Sequence, residues 1–313
     1  MLPVLFTSQR PLERCENIKA VYEAYDGPKE FIKLDWYRRS DAITSGKYAV
    51  MVTDEIPTAS PGTVIMINHG ITGNKTYGLD QPNRYATLEQ CKLITYAVTT
   101  SPELIPLMSK QLATPQERVL SLGLPRTDAY KGKAIGEGGT GLTDKRVYLY
   151  APTYRGKSER SYKVINWRLI DELLTDNELL LIKPHMLTND TVDAGYEHIR
   201  YVSNKEPSTP YIIDCSVLIT DYSSIMLDGL TAYRPVVLFS TDNVYLKARG
   251  MYYQYPEAYS SYYCKTEREL IDMIRSAVWT KTDDERRAFF ASACDGNSTR
   301  RVIDLIKRVN VWK

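Results

Sequence analysis

Short apolar runs rich in β-branched residues recur along the chain, at Pro3 to Phe6, Ala49 to Val52, Thr63 to Asn68, Ile94 to Thr99, Val119 to Ser121, Val147 to Tyr150, Leu179 to Ile182, Tyr201 to Val202, Val217 to Thr220 and Val236 to Phe239. Helical patterns lie between them. Strands alternating with helices at this spacing predict parallel sheets wrapped by helices, an α/β fold. Residues 131–145, KGKAIGEGGTGLTDK, form the most Gly-rich and least apolar window, and the strand-like VYLYAP follows at once. That composition marks a domain boundary, so the expected domains are 1–140 and 141–313. Near the C-terminus, Thr266 with Glu269 makes a capping box ahead of LIDMI,. Ser298 or Thr299 can cap a final helix that carries Val302, Ile303, Leu305, Ile306 and Val309 on one face,. That helix is expected to pack, with the option of returning to the N-terminal domain.

Length agrees with two domains: 313 residues divide into two units of roughly 150,. A hydrophobic fraction of 43% and a charged fraction of 25% are those of a globular protein able to bury full cores,. A net charge of +2 gives no sign of nucleic-acid binding, so any anion site must be local,. Cys15, Cys91, Cys215, Cys264 and Cys294 are odd in number and lack CxxC or Cys/His spacing, which argues against a disulfide framework or a zinc site,. No stretch approaches the roughly 18 apolar residues that span a bilayer. The expectation is a cytoplasmic protein, either soluble or peripheral on the inner face of the membrane.

Open parallel sheets bind ligands outside the carboxyl ends of their strands, and several of these ends carry conspicuous polar residues. TVIMINHGITGNKTYG delivers Asn68 and His69 beside Gly70, Gly73, Lys75 and Gly78. A histidine there can serve as a general base, although a lone strand-end histidine is more often a structural residue. VYLYAPTYRGK places Thr153, Tyr154, Arg155 and Lys157 past a strand; Arg155 suits a phosphate, or is a solvated surface charge,. LLLIKPHMLTND delivers Lys183 and His185, so two of the chain's three histidines occupy equivalent places in opposite halves. A cleft between two domains would draw one from each. His198, in GYEHIR, reads as a surface residue. In CSVLITDYSSIMLDGLTAYRPVVLF a strand ends at Thr220, and Ser223 and Ser224 open a helix to about Tyr233. Its hydroxyls and free N–H groups would cradle a diphosphate, or simply cap the helix.

The ordered set of HG and KTYG (His69 to Gly78), GLPRTD (Gly123 to Asp128), YAPTYRG (Tyr150 to Gly156), IKPH (Ile182 to His185), ITDYSSIMLDGLTAYRPVVLF (Ile219 to Phe239) and DNVYLKARGMYYQY (Asp242 to Tyr255) resembles the CDP-glycerol glycerophosphotransferases, the teichoic-acid primases and polymerases and their CDP-ribitol relatives. The resemblance implies two Rossmann-like domains facing each other across a cleft, the GT-B glycosyltransferase type. It implies donor contacts mainly in the C-terminal half and attack of an acceptor hydroxyl on the β-phosphorus of a CDP-polyol, releasing CMP. His69 matches the family's candidate base. Arg155, His185, Ser223 and Ser224 fall on donor- or phosphate-binding motifs, and Asp221 and Asp228 match the acidic positions of the TDYSS segment. The sequence departs from the family's habit at Tyr154 (Trp), Thr127 (Asn), Pro184 (Leu), Met186 (Pro) and in the ITGN loop.

The residues and the resemblance together give His69, His185 and Asp221 as candidate catalytic groups, and Thr153, Arg155, Lys183, Thr220, Ser223, Ser224 and Asp228 as candidate donor-binding groups. The expected activity is transfer of glycerol phosphate or a related polyol phosphate from CDP-glycerol or CDP-ribitol to a lipid-linked or glycan acceptor, in teichoic-acid-like or capsular polymer synthesis. No tightly bound metal or cofactor is expected, since no DxD-like pair or His/Cys cluster stands in a convincing loop; loosely held magnesium could accompany the diphosphate. Basic and aromatic residues at Lys33 to Arg39 and in RRVIDLIKRVNVWK could touch anionic lipid or be ordinary solvated helix,. Relative to family members with additional N-terminal domains, the chain reads as a catalytic core. The alternatives are a GT-B nucleotide-sugar glycosyltransferase of surface polysaccharide synthesis and a catalytically silent nucleotide-binding protein.

Overall fold

The computed structural model describes residues 2–34, 40–81, 86–142, 144–154, 165–188, 195–241 and 244–310. The chain forms two compact units, residues 1–131 with 288–313, and residues 132–287.

The first unit is built on β1 (Val4–Ser8), β2 (Lys29–Lys33), β3 (Val50–Thr53), β4 (Thr63–Ile67), β5 (Tyr96–Thr99) and β6 (Val119–Ser121), all parallel, in the order β2-β1-β3-β4-β5-β6. Every residue of β1 and β3 is buried, which is why these strands read as continuous apolar runs rather than alternating ones. Between these strands the chain forms α1 (Glu16–Ala24), α2 (Ser40–Thr44), α3 (Leu88–Lys92) and α4 (Ile105–Leu112). The second unit has the same logic. Its strands β7 (Arg146–Tyr150), β8 (Glu178–Ile182), β9 (Ile199–Tyr201), β10 (Val217–Thr220), β11 (Val236–Phe239) and β12 (Tyr262–Cys264) pair in parallel as β12-β11-β10-β7-β8-β9. Its helices are α5 (Trp167–Leu173), α6 (Thr209–Asp214), α7 (Ile225–Thr231), α8 (Val244–Arg249) and α9 (Glu267–Ser276). One face of this sheet, with Tyr148, Leu180, Ile182, Val217 and Ile219, packs on Ile170 of α5 and on Leu270, Ile271 and Ile274 of α9. α9 opens with the expected Thr266–Glu269 capping box.

β2 and β12 have no counterpart among the apolar runs. Both are edge strands, and β2 reads KEFIK with no fully buried residue. Charge on an edge strand blocks pairing with other chains, and it also erases the hydrophobic signal.

The compact units divide the chain differently from the expected 1–140 and 141–313, with the last helix taking the option of returning to the first unit. The boundary falls between residues 131 and 132, ahead of most of the Gly-rich window. Asp214, at the end of α6, accepts hydrogen bonds from the N–H groups of Gly138 and Thr140 and so holds this window to the second unit. Gly138 also lies so near the Pro210 carbonyl that a Cβ would collide with it. At the other end, α10 (Lys281–Ala291) carries the chain past residue 287, and residues 288–313 belong to the first unit. There Val302, Leu305 and Ile306 of α11 (Ser298–Val309) bury their stripe, and the helix packs on α1 and on the turn Pro125–Tyr130. Neither Ser298 nor Thr299 caps this helix. Asn297 holds the cap position without a side-chain bond, and the Asp128 carboxylate accepts from the Ser298 and Thr299 N–H groups at 2.9 and 2.7 Å. The Asp of GLPRTD thus satisfies the open helix end from a distant stretch of chain.

Strand order reverses once in each sheet. In the first unit the chain leaves β1 to one side through β2 and to the other through β3; in the second it leaves β7 through β8 and β10. At such points the loops beyond the two adjacent strands diverge and leave a crevice for a ligand.

Candidate active site

The crevice of the first unit is charged. β1 leads into Arg10, β3 into Asp54 and Glu55, and the neighbouring β4 into Asn68 and His69. Arg10 Nη2 stands 2.5 Å from an Asp54 carboxylate oxygen and 3.9 Å from Glu55. The Asp54 side chain is 2% exposed and that of Arg10 24%. Asp54 Oδ1 and Arg10 Nε are buried with no hydrogen-bond partner. The His69 ring hydrogen-bonds to the main-chain carbonyl of Asp54. Arg126 Nη1 donates to the His69 carbonyl. Asn17 knits the base of the loop, donating to the Asn68 carbonyl and accepting from the Arg126 N–H, each at 3.0 Å. The Tyr77 ring meets that of His69 edge-on, with centroids 6.2 Å apart. One residue further, Gly78 adopts φ +59° against the Gln111 carbonyl, where a Cβ would collide.

These surroundings set the proton states. His69 keeps an exposed surface, yet desolvation, followed by the positive charges of Arg10, Arg126 and Lys75, pushes its imidazole down to about 3. The residue's solvent access moderates the desolvation, while the three cations act in the same direction; both leave the ring neutral near pH 7. Burial raises the Asp54 carboxyl despite Arg10. Glu55 rises to about 7 through burial and then the neighbouring Asp54 charge.

The crevice of the second unit is built from hydroxyls and main-chain amides. Asp221, 2% exposed, accepts at one oxygen from the N–H groups of Thr153 and Tyr222, at 2.8 and 2.7 Å. Thr220 donates to the Ala151 carbonyl at 2.6 Å. These bonds tie the β7 and β10 loops across the strand-order reversal. Thr153 Oγ1 is buried with no hydrogen-bond partner. Ser223 and Ser224 are half-buried. The first accepts weakly from Ile225 N–H at 3.4 Å, and the second, at the cap position of α7, makes no capping bond. α7 ends at Thr231, short of Tyr233, and Asp228 lies inside it, buried. Lys183 donates to the Ser203 carbonyl at 3.1 Å. His185 stacks on Tyr154 with ring centroids 5.2 Å apart, and its Nδ1 accepts from the Leu187 N–H. When neutral, that ring therefore carries its proton on Nε2. Sequence reading missed Tyr255, which donates to the Asp221 carbonyl at 3.2 Å and packs on Tyr222.

Arg155 lies outside the described residues, as does most of the Lys33 to Arg39 stretch. His198, expected at the surface, is 7% exposed, because its main chain joins the ladder at the start of β9: its carbonyl accepts from Leu180 and its N–H donates to Asp171. Its ring, with the exposed Asp176 and Glu197, brings ligand atoms within 4.8 Å of one another. This group could hold a metal ion, but it stands at the amino ends of β8 and β9, the end of the sheet opposite the crevice. Among the described residues no helix is long and apolar enough to cross a membrane.

The sequence profile of the CDP-glycerol:poly(glycerophosphate) glycerophosphotransferases matches residues 15–308. The chain belongs to this family. It is 24% identical to the teichoic acid poly(ribitol-phosphate) polymerase of Bacillus spizizenii, over 97% of this chain and 56% of that protein. It is 25% identical to the teichoic acid glycerol-phosphate transferase of Staphylococcus aureus over 67% of this chain and 60% of that one. With the teichoic acid glycerol-phosphate primase of Bacillus subtilis the figures are 22%, 98% and 85%. The chain thus spans little more than half the length of the first two relatives. Among solved structures, the wall teichoic acid polymerase TagF superposes with a TM-score of 0.79 at 20% identity, over 98% of this chain and 88% of that one, which shows a shared two-domain α/β fold of the GT-B type. The UDP-GlcNAc 2-epimerase of Neisseria meningitidis reaches 0.60 at 11% identity over 97% and 99%. This glycerophosphotransferase-family chain therefore shares its fold with proteins of other chemistry as well, and function must be argued from the crevices.

Proposed function

We propose that the chain transfers glycerol phosphate, or a related polyol phosphate, from a CDP-activated donor to an acceptor hydroxyl in teichoic-acid-like or capsular polymer synthesis. The observation that carries this reading is an imidazole at a strand end, held at ring and main chain beside Arg10, Lys75 and Arg126, in a family whose reaction needs a hydroxyl deprotonated. His69 takes the acceptor proton, the acceptor oxygen bonds to the β-phosphorus, and the bond from that phosphorus to the bridging oxygen breaks, its electron pair leaving with CMP. Binding of an anionic diphosphate adds negative charge, which shifts the imidazole back up and strengthens it as a base.

The second unit binds the donor in this reading. The Ser223 and Ser224 hydroxyls, Thr153 Oγ1, Arg155 and the His185 Nε2–H supply hydrogen bonds to phosphate oxygens. Lys183 contributes positive charge. Asp221, expected from the sequence to act in catalysis, is assigned instead to holding the loops, with Thr220, because its oxygen is occupied by main-chain amides. Asp228 lies buried in α7. The acceptor is a lipid-linked or glycan hydroxyl, as the relatives' polymer chemistry suggests, and peripheral membrane contact follows from a lipid-linked one. No resident metal has a role in this scheme, so chelator should leave turnover unchanged.

A screen of CDP-glycerol, CDP-ribitol and nucleotide sugars, following nucleotide release with and without membranes, tests the proposal. CMP released from a CDP-polyol in an acceptor-dependent way is the expected result. Consumption of a nucleotide sugar alone would replace it with sugar transfer on the same fold.

A further inference from the structure

We propose that the Arg10–Asp54 pair, half-buried at the strand-order reversal of the first unit, is a positioning device that fixes the orientation and tautomer of the His69 imidazole. The inference rests on His69 being the base of the proposed reaction.

Four observations lead to it. First, the His69 ring is bonded to the main-chain carbonyl of Asp54. A carbonyl only accepts, so the nitrogen facing it carries the proton and the other keeps its lone pair for an acceptor hydroxyl. Second, Asp54 lies one residue beyond β3, whose ladder with β1 and β4 ends at Thr53. Its side chain, clamped by Arg10 from the loop after β1, fixes where the carbonyl points. Third, the pair is imperfectly satisfied: Asp54 Oδ1 and Arg10 Nε lack hydrogen-bond partners, and beside Arg10 the carboxylate has only the Ser8 hydroxyl and its own N–H to support it. A buried ion pair of that quality is seldom a net gain in stability over apolar side chains of similar volume. Its presence beside the one strand-end histidine of this unit is explained by what it holds. Fourth, the opposite side of His69 is held as well, Arg126 donating to its carbonyl. His69 is therefore held at its ring by the Asp54 main-chain carbonyl and at its own carbonyl by the Arg126 side chain.

The charged and titratable groups around the ring are Arg10, Lys75 and Arg126, with the Asp54 and Glu55 carboxyls and Tyr77 beyond. Removing Arg10 takes away one of three cations that disfavour the imidazolium. It also releases the Asp54 carbonyl, so one substitution should alter both the tautomer and the pH at which the ring titrates.

With only three histidines in the sequence, the full chain labelled with nitrogen-15 histidine gives imidazole signals that variants at 69, 185 and 198 assign. The wild type should show His69 as a single neutral tautomer down to the acid limit of the folded protein. In Arg10→Gln and in Asp54→Asn the two ring nitrogens should move toward averaged shifts, with the Arg10→Gln midpoint rising toward 6.5. In the same variants, kcat for CMP release from CDP-glycerol should fall by about 10- to 100-fold, the scale of a misplaced reacting group, while KM stays within about threefold. Arg10→Lys keeps the charge and guards against a variant that does not fold; it should restore the low midpoint but not the full rate. Folded variants in which the His69 shifts and midpoint match the wild type would overturn the positioning role. His69→Ala in the same assay separates the two ideas: normal turnover there removes the base, whatever the ring shifts report.

Discussion

The two crevices share a topology and differ in what fills it. In the first unit, Arg10, Asp54, Glu55 and His69 crowd charged groups around an imidazole, and two of their atoms stay without partners. In the second, Asp221 and Thr220 spend their oxygens on the main chain of the adjoining loop, which leaves Thr153 Oγ1 and the Ser224 hydroxyl outside the local bonding. A strand-order reversal supplies only a place. Charge left imperfectly paired suits proton transfer, whereas braced loops lined with hydroxyls suit holding a diphosphate without moving. A third region sharpens the contrast. At the amino end of β8, Glu178 accepts from Arg275 at 3.0 and 2.7 Å, from the Tyr148 hydroxyl and from Thr175. Burial would raise that carboxyl, but these bonds hold it down to about 2, while the incompletely bonded Asp54 moves up. A satisfied pair serves stability; the pair beside His69 does not.

The largest effect should come from the charged crevice. His69→Ala is expected to cut CMP release by about 100- to 10,000-fold with circular dichroism unchanged and melting little altered, since the residue lies at an exposed strand end. Asp221→Ala should break the comparison from the other side. It strands the Thr153 and Tyr222 amides, at roughly 1–3 kcal/mol for each buried group left unpaired, so melting of the protein should drop and donor affinity with it. An Asp221→Ala protein of normal stability that fails only in kcat would return this residue to catalysis.

Glu178→Gln should leave catalysis intact and destabilise by about 1–2 kcal/mol at pH 7, less than the full shift would give because Arg275 is partly solvated,. The sign follows from a lowered carboxyl: its stabilising contribution is complete above the ordinary value near 4.5 and is lost as the pH falls through about 2. Urea midpoints of wild type and variant should therefore converge in acid. Smallest in stability is Ser224→Ala, expected within about 0.5 kcal/mol of wild type because the hydroxyl makes no capping bond. Its effect should appear as a severalfold rise in KM for CDP-glycerol, and an unchanged KM would take Ser224 out of the cradle.

Eight of the ten apolar runs were legible because they form central parallel strands, the other two being the short edge strands β6 and β9, and the Thr266 capping box because its spacing is local,. Edge strands β2 and β12 were not, since exposed strands need no apolar code. The rule that strand ends carry chemistry found His69 and His185 but passed over Arg10 and Asp54. These are ordinary charged residues in loops 44 positions apart, and only the order of strands brings them together. The same limit hid the difference between Thr220, bonded to the main chain, and Ser224, which is not. Local sequence shows which side chains reach a strand end; it does not show which of them the neighbouring loop has already used.

The most direct measurement of the central claim is acceptor-dependent CMP release from CDP-glycerol and CDP-ribitol by the wild type and His69→Ala, alongside calorimetric binding of the same donors. The account expects turnover by the wild type, at least about a hundredfold less by the variant, and equal donor affinity for both. Wild-type turnover by His69→Ala, or binding without CMP release by the wild type, would contradict it.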